Sequence, residues 1–301
     1  MLIAVIDIGS SIIKYKIYEY DNNTIEPVII HDERKGLITY RKKGKLTDEG
    51  LNILLETLKE YKKFSEKLGV DKTCCVATAS LRSIDNSSEV LETVKRELDL
   101  EIKILSGIEE AKHSFNSIKW IDIPEDEGIL VDIGGGSSEV SIFENKTPLE
   151  QKSIPMGVLN IYENYVSLLL PTKKEQEEII RKVRLKIREL NFIETSKTYL
   201  YGIGKTIVTL KRLFEHLNIE TEENTINIKD IDNILNKLSE NTKENFKPLL
   251  QVDSERVHTI IPSLLIIKSL ALEFKLEKIF VCNVTLQDGI ILDILEKNNK
   301  E

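Results

Sequence analysis

The sharpest chemical signal in the sequence is Asp132-Ile-Gly-Gly-Gly-Ser-Ser138, followed at once by Glu139. Three consecutive glycines, Gly134, Gly135 and Gly136, admit positive φ and let peptide N–H groups approach a ligand with no Cβ in the way. Successive N–H groups in such a turn form a concave anion site, and Ser137 and Ser138 add hydroxyl donors. Asp132 and Glu139, one on each side, are candidate holders of a divalent cation, and oxygen ligands suit Mg²⁺. A flexible hairpin tip would need neither acid. The segment reads as a phosphate-binding turn.

It has a counterpart earlier in the chain. Residues 4–19, AVIDIGSSIIKYKIYE, align with residues 129–144, ILVDIGGGSSEVSIFE, at a constant offset of 125. Asp7 meets Asp132, Gly9 meets Gly134 and Glu19 meets Glu144. Gly9, Ser10 and Ser11 thus repeat the turn, with Asp7 as the acid before it. Lys14 either adds a positive charge or faces solvent. Each copy reads as a β-hairpin. The duplication predicts two lobes, each carrying one glycine-tipped turn, on either side of one ligand.

Other residues fall around these turns. In Thr78-Ala-Ser-Leu-Arg82, Arg82 leaves the end of a buried strand, placed either to clamp a phosphate bidentately or to pair with a neighbouring acid. Ser106-Gly-Ile-Glu109 has the capping-box spacing, which occupies Glu109 structurally. Glu110 is then left to project from the first helical turn as a candidate general base for activating water. Gly202-Ile-Gly204-Lys205-Thr206 lacks the earlier glycine of a Walker loop, where Tyr199 stands, but still places a helix N-terminus after a strand as an anion site. Arg41, Lys42, Lys43 and Lys45 cluster around Gly44, as a solvated turn or as a basic rim guiding a long anion.

The elements that must position these residues alternate between strand and helix. Thr47 caps a helix to about residue 67, with Asp48 and Glu49 in its first turn. Strands are predicted at 72–78, 101–105, 149–154, 198–202 and 278–282. Helices are predicted at 87–98, from 106, at 172–190, from 205, near 228–238 and 254–275, and from 286. Such alternation implies an α/β architecture with covered strands. The division predicted is a first lobe of residues 1–118 closed by a C-terminal helix at 287–301, and a second lobe at 119–286.

Composition narrows the function classes. The chain has 301 residues, 41% hydrophobic and 31% charged, with a formal charge of −8. This excludes disorder as the main state and argues against nucleic acid gripped by a bulk positive field. A polyanionic substrate then needs local donors or a metal ion. Cys74, Cys75 and Cys282 have neither zinc nor disulfide spacing and read as buried thiols. The most apolar run, 260–274, is interrupted by Pro262, Lys268 and Glu273, and the N-terminus lacks signal-peptide features. A cytoplasmic protein without membrane partners is expected.

The order DIGSS, TASLR, LSGIEEA, VDIGGGSSE, PMGVLNI, GIGKT resembles the exopolyphosphatase/guanosine pentaphosphate phosphohydrolase family, within the actin, sugar kinase and Hsp70 superfamily. The resemblance runs over roughly residues 3–295. It implies a duplicated actin-like, ribonuclease H-like fold with a central cleft, and Mg²⁺-dependent hydrolysis of inorganic polyphosphate or guanosine pentaphosphate. It makes Glu110 the general base and Arg82 the clamp on the terminal phosphoryl group, both catalytic. Gly9–Ser11, Gly134–Ser138, Gly204, Lys205 and Arg256 would contact phosphates, while Asp132, Glu139 and Asp7 would serve the metal. A homodimer is the candidate assembly. The chain departs from the family pattern at Ser11, Lys205, His258 and Gln287, which bear on the substrate end of the site. A small-molecule kinase and a non-catalytic polyphosphate or alarmone sensor are the alternatives from other classes.

Overall fold

The repeat seen in the sequence is a repeat of sheets. The computed structural model describes residues 1–298 save Asn23, Glu220 and Ser239. It divides into a first unit, Met1–Glu110 with the chain from Ile290 onward, and a second unit, Ala111–Gly289.

In the first unit, β1 (Leu2–Ile8), β2 (Ile12–Asp21) and β3 (Thr24–Arg34) form an antiparallel meander. A short ribbon follows, β4 (Arg41–Lys42) against β5 (Lys45–Leu46). Then β6 (Lys72–Ala77) and β7 (Ile102–Ile104) join β1 in parallel, giving the order β3-β2-β1-β6-β7. Helices α1 (Asp48–Leu68), α2 (Ala79–Arg82) and α3 (Ser87–Leu98) connect them. The Thr47 hydroxyl accepts from Gly50 N–H, so the predicted cap of α1 is formed. Alternation along β1 and β2 buries Ala4, Ile6, Ile8, Ile13, Tyr15 and Ile17 against Leu54 and Leu58 of α1.

The chain enters the second unit within α4 (Gly107–Ser117), so the division lies at Glu110/Ala111. The sequence places this boundary at 118/119, eight residues later, inside the second unit. There β8 (Gly128–Ile133), β9 (Ser138–Glu144) and β10 (Thr147–Ile154) repeat the meander. Parallel strands β11 (Tyr199–Ile203) and β13 (Lys278–Val281) extend it, and β12 (Thr225–Asn227) adds an edge. The order β10-β9-β8-β11-β13 reproduces that of the first unit strand for strand. This is the α/β, duplicated actin-like architecture.

Helices α5 (Val158–Tyr165), α6 (Lys173–Glu189), α7 (Gly204–His216), α8 (Lys229–Lys237), α9 (Lys243–Asp253) and α10 (Val257–Phe274) complete the second unit, before α11 (Leu286–Asn298). By length and composition α10 is apolar enough to cross a membrane, contrary to the sequence expectation, because Pro262, Lys268 and Glu273 dilute the run too little. In the fold it is a core helix, 78% buried among the second unit's apolar side chains. Cys75 and Cys282 are buried free thiols, and burial pushes both thiol pKa values up.

Candidate active site

The candidate residues of the first unit lie at the carboxyl ends of β1, β6 and β7, where open α/β sheets take ligands. The β1–β2 turn is closed by Gly9 N–H donating to the Ile12 carbonyl at 3.0 Å. A Cβ on Gly9 would stand 2.7 Å from that oxygen, so only glycine permits the closure. The Ser10 and Ser11 carbonyls accept from Ile38 and Gly36 N–H, each at 3.0 Å. A trans peptide points its N–H opposite its C=O, so the Ser11 N–H faces away from this brace. Asp7 and Lys14 are direct cross-strand partners, with Lys14 Nζ 3.2 Å from Asp7 Oδ2. Asp7 is buried, and its Oδ1 has no hydrogen-bond partner among the described residues.

Arg82 and Glu110 meet in the same unit. Parallel pairing of β6 with β1 sets α2 beside the turn, and the Ser80 hydroxyl donates to the Ile8 carbonyl. The Arg82 guanidinium donates to the Leu105 carbonyl at 2.7 Å and forms an ion pair with Glu110. Glu110 is 5% exposed, so this charge is partnered where water is scarce. Of the two readings of Arg82, pairing with an acid is the one realised here, and the acid is the predicted base.

Glu109 forms the predicted capping box: its carboxylate accepts from Ser106 N–H at 2.9 Å, and Glu109 N–H donates to Ser106 Oγ at 3.2 Å. The hydrogen bond from Lys103, then that from the Ser106 backbone, hold its pKa down to about 2 from 4.5. A depressed carboxylate contributes stability above its unfolded pKa and loses it as pH falls through the folded one. The gap in thermal stability between the wild type and Glu109→Ala is therefore expected to hold from pH 7 to about 4.5 and close toward pH 2. Melting curves across that range check it; a gap that closes above pH 5 contradicts the assignment.

The second unit repeats the turn with a different brace. Gly134 N–H donates to the Ser137 carbonyl at 2.9 Å. The Gly134 and Gly135 carbonyls accept from Val158 and Leu159 N–H, each at 3.0 Å, and the Gly136 carbonyl accepts from Asn160 Nδ2 at 2.6 Å. All these donors belong to the first turn of α5. The opposite ends of the same peptides, the N–H groups of Gly135, Gly136 and Ser137, point the other way and make no backbone hydrogen bond among the described residues. The result is a row of outward donors on a fixed frame.

Acids and cations surround it. Asp132 and Glu139 are cross-strand partners, so their side chains share one face of the sheet. Asp132 Oδ2 accepts from Ser114 Oγ at 3.3 Å, and Glu139 Oε1 from Ser153 Oγ at 2.7 Å. Gly204, at φ 79°, opens α7, and a Cβ there would lie 3.2 Å from Asp132 Oδ1. Lys205 follows it and is exposed. Arg256 NH1 donates to Thr206 Oγ1 at 3.2 Å, and Thr206 Oγ1 to the Ile133 carbonyl at 2.8 Å, which ties Arg256 to the strand end before the glycine turn.

A model of the Ppx/GppA phosphatase family matches residues 19–298. The chain belongs to that family. Exopolyphosphatase 1 of Mycobacterium leprae is 23% identical over 264 residues, covering 84% of this chain and 77% of the relative. A guanosine-5′-triphosphate,3′-diphosphate pyrophosphatase of Aeromonas hydrophila is 35% identical over 105 residues, covering 34% of this chain and 21% of its own. The Aquifex aeolicus Ppx/GppA structure superposes with a TM-score of 0.83 at 22% identity, covering 99% of each chain. This Ppx/GppA protein is an enzyme, a hydrolase of phosphoric anhydrides.

Parts of the sequence reading change in the Ppx/GppA fold. Gly134, Gly135 and Gly136 do not adopt positive φ, whereas Gly204 does. Close backbone approach is found instead at Gly134, where a Cβ would lie 3.1 Å from the Ser137 carbonyl oxygen, and at Gly157, where it would meet the Gly134 and Gly135 carbonyls. The Ser138 hydroxyl is spent on the Met156 carbonyl at 2.8 Å and is fully buried, so it is no ligand donor. Asn160 bonds the turn from behind and Gly157 packs against it; in the sequence their only signal is their place in the PMGVLNI stretch. Among the described residues no three His, Cys, Asp or Glu side chains gather as a closed metal site. Within the second unit, the cross-strand pair Asp132 and Glu139 fits a cation held by one or two carboxylates and completed by water and phosphate oxygens, as Mg²⁺ prefers; in the first unit, the buried Oδ1 of Asp7 has no hydrogen-bond partner among the described residues.

Proposed function

We propose that the protein is an exopolyphosphatase that releases orthophosphate from the end of inorganic polyphosphate with Mg²⁺. The reading rests first on the glycine turn, whose Gly134, Gly135 and Gly136 carbonyls are bound from behind, which leaves the Gly135, Gly136 and Ser137 N–H groups to cradle an anion. It is supported by the family membership and by the length over which the mycobacterial exopolyphosphatase is matched.

In this reading Ser11 and Gly135–Ser137 hold phosphate oxygens through peptide N–H groups, with Lys205 and Arg256 adding donors, whereas the N–H groups of Gly9, Gly134 and Gly204 are spent on the Ile12, Ser137 and Val284 carbonyls. Glu110 orients a water and takes its proton as the water oxygen bonds to the terminal phosphorus. The bridging P–O bond breaks, orthophosphate leaves, and the shortened chain keeps the bridging oxygen as an anion. Arg82 holds Glu110 in place and is the neighbouring cation for charge on the transferring group. Asp132 and Glu139 of the second unit would hold Mg²⁺, which supplies charge neutralisation on the phosphates when bound, and Asp7 is the candidate carboxylate of the first unit.

The local match to the Aeromonas pyrophosphatase supports a second substrate, guanosine pentaphosphate. Lys205 stands against it, because a long exposed cation occupies the helix head where the family pattern has glycine. Phosphate release from long polyphosphate, guanosine pentaphosphate and ATP, measured side by side with Mg²⁺ and with EDTA, decides between them. Release from polyphosphate that EDTA abolishes is expected. Faster release from guanosine pentaphosphate would reverse the order, and no release from any of them would sink the hydrolytic reading.

A further inference from the structure

The proposed chemistry leaves the basic ribbon β4–β5 unused. Arg41, Lys42, Lys43 and Lys45 are all exposed, in a chain whose formal charge is −8. None of them makes an ion pair among the described residues. Their turn is tight: Lys43 and Gly44 have φ of 48° and 79°, the paired left-handed residues of a two-residue hairpin loop. The register sets Lys42 directly opposite Lys45. Like charges in that position oppose pairing, so the folded ribbon holds together a repulsion that an anion would relieve.

The ribbon is also anchored next to the phosphate turn of its own unit. Upstream, Gly36 and Ile38 donate to the Ser11 and Ser10 carbonyls. Downstream of α2, Asp85 N–H donates to the Gly44 carbonyl at 2.8 Å, and Asn86 exchanges hydrogen bonds with Leu46 at 2.9 and 3.0 Å. The ribbon is thus braced between the segment that holds Gly9–Ser11 and the segment that follows Arg82. Buried Leu37 and Leu46 fix its base. An acid, Asp85, lies against the turn at Gly44, in the place a Cβ would take.

We propose that this ribbon is a tracking subsite for the part of a linear polyphosphate beyond the phosphates held at the glycine turns, so that the protein favours long chains over short ones. The inference rests on the polyphosphate reading above. Single-stranded nucleic acid would call for aromatic platforms among the cations. The ribbon's own residues are Arg41, Lys42, Lys43, Gly44, Lys45 and Leu46, with none, and so suit bare phosphate.

The test is equilibrium binding of long-chain polyphosphate and of tripolyphosphate without divalent metal, so that turnover is not needed. It compares the wild type with the double variants Lys42→Glu/Lys43→Glu and Lys42→Arg/Lys43→Arg. The charge reversal is expected to weaken long-chain binding by about tenfold or more at low salt and to lower the slope of log affinity on log salt by about one to two. The loss should fade near 1 M salt, where the screening length is about 3 Å. Tripolyphosphate binding should stay unchanged, and the arginine variant should keep the wild-type affinity. Equal weakening for both ligands, no weakening, no long-chain binding by the wild type, or a loss seen only with single-stranded RNA would each overturn the subsite. Wild-type protein that binds long chains through the ribbon yet releases no phosphate would instead overturn the hydrolytic reading and leave the subsite standing.

Discussion

Glu110→Gln is expected to lower phosphate release by about 10²–10⁴-fold while polyphosphate binding and the fold persist. Glutamine preserves the volume of a side chain that is 5% exposed, and its carbonyl oxygen still accepts from Arg82. What it removes is the carboxylate proposed to take the water's proton. Arg82 keeps its second bond, to the Leu105 carbonyl at 2.7 Å, and its side chain is 27% exposed, so the uncompensated charge still reaches water. The fold should therefore tolerate the change better than it would an isolated buried guanidinium. Melting temperature and equilibrium binding establish that the variant is intact, and single-turnover phosphate release then reads the chemical step. A rate near that of the wild type would remove Glu110 from the role of base. A loss of binding equal to the loss of rate would make the residue a positioning element for Arg82.

What the sequence disclosed was whatever local chemistry dictates. The turn after β1 and the turn after β8 were legible because Asp-Ile-Gly and period-two alternation recur at one offset, and both registers place position seven after the acid directly across from it: Lys14 from Asp7, Glu139 from Asp132. Helix α3 was legible at both ends, and so was the capping box of α4. Elements shaped by tertiary contact were not. Strand β3, Thr24–Arg34, carries mostly exposed residues and exists because β2 offers it an edge, so it has no clear alternation of its own. Helix α9, Lys243–Asp253, contains Pro248 and buries Leu249. Helix α5 begins after Gly157 with no side-chain cap, since its first N–H groups are satisfied by the carbonyls of a turn some twenty residues earlier. The same long-range logic hid Ser114 and Ser153, whose hydroxyls orient Asp132 and Glu139. Residue type announced the acids; only the sheet shows what holds them.

That hidden support carries the second large effect, expected for Gly157→Ala. Gly157 has φ −105° and ψ 173°, a conformation open to any residue, so backbone strain is no part of the cost. The cost is steric: a Cβ there would lie 2.6 Å from the Gly134 carbonyl oxygen and closer still to the Gly135 carbonyl. These are main-chain atoms of the glycine turn proposed to bind the anion and cannot swing aside like a side-chain tip. Either α5 backs away and releases the three carbonyls it binds, or the turn shifts with its outward N–H groups. Overpacking of this kind costs about 1–3 kcal/mol, or about 2–4 °C in melting temperature per kcal/mol for a domain of this size. Displacing reactive geometry by about 1 Å costs on the order of 10²-fold in rate, so activity should fall by far more than the modest loss of stability would suggest. Calorimetry alongside steady-state phosphate release separates the two. A variant that melts lower yet turns over normally would show that the turn's position does not govern the chemistry, whereas unchanged melting and unchanged turnover would mean that α5 does not grip the turn at all.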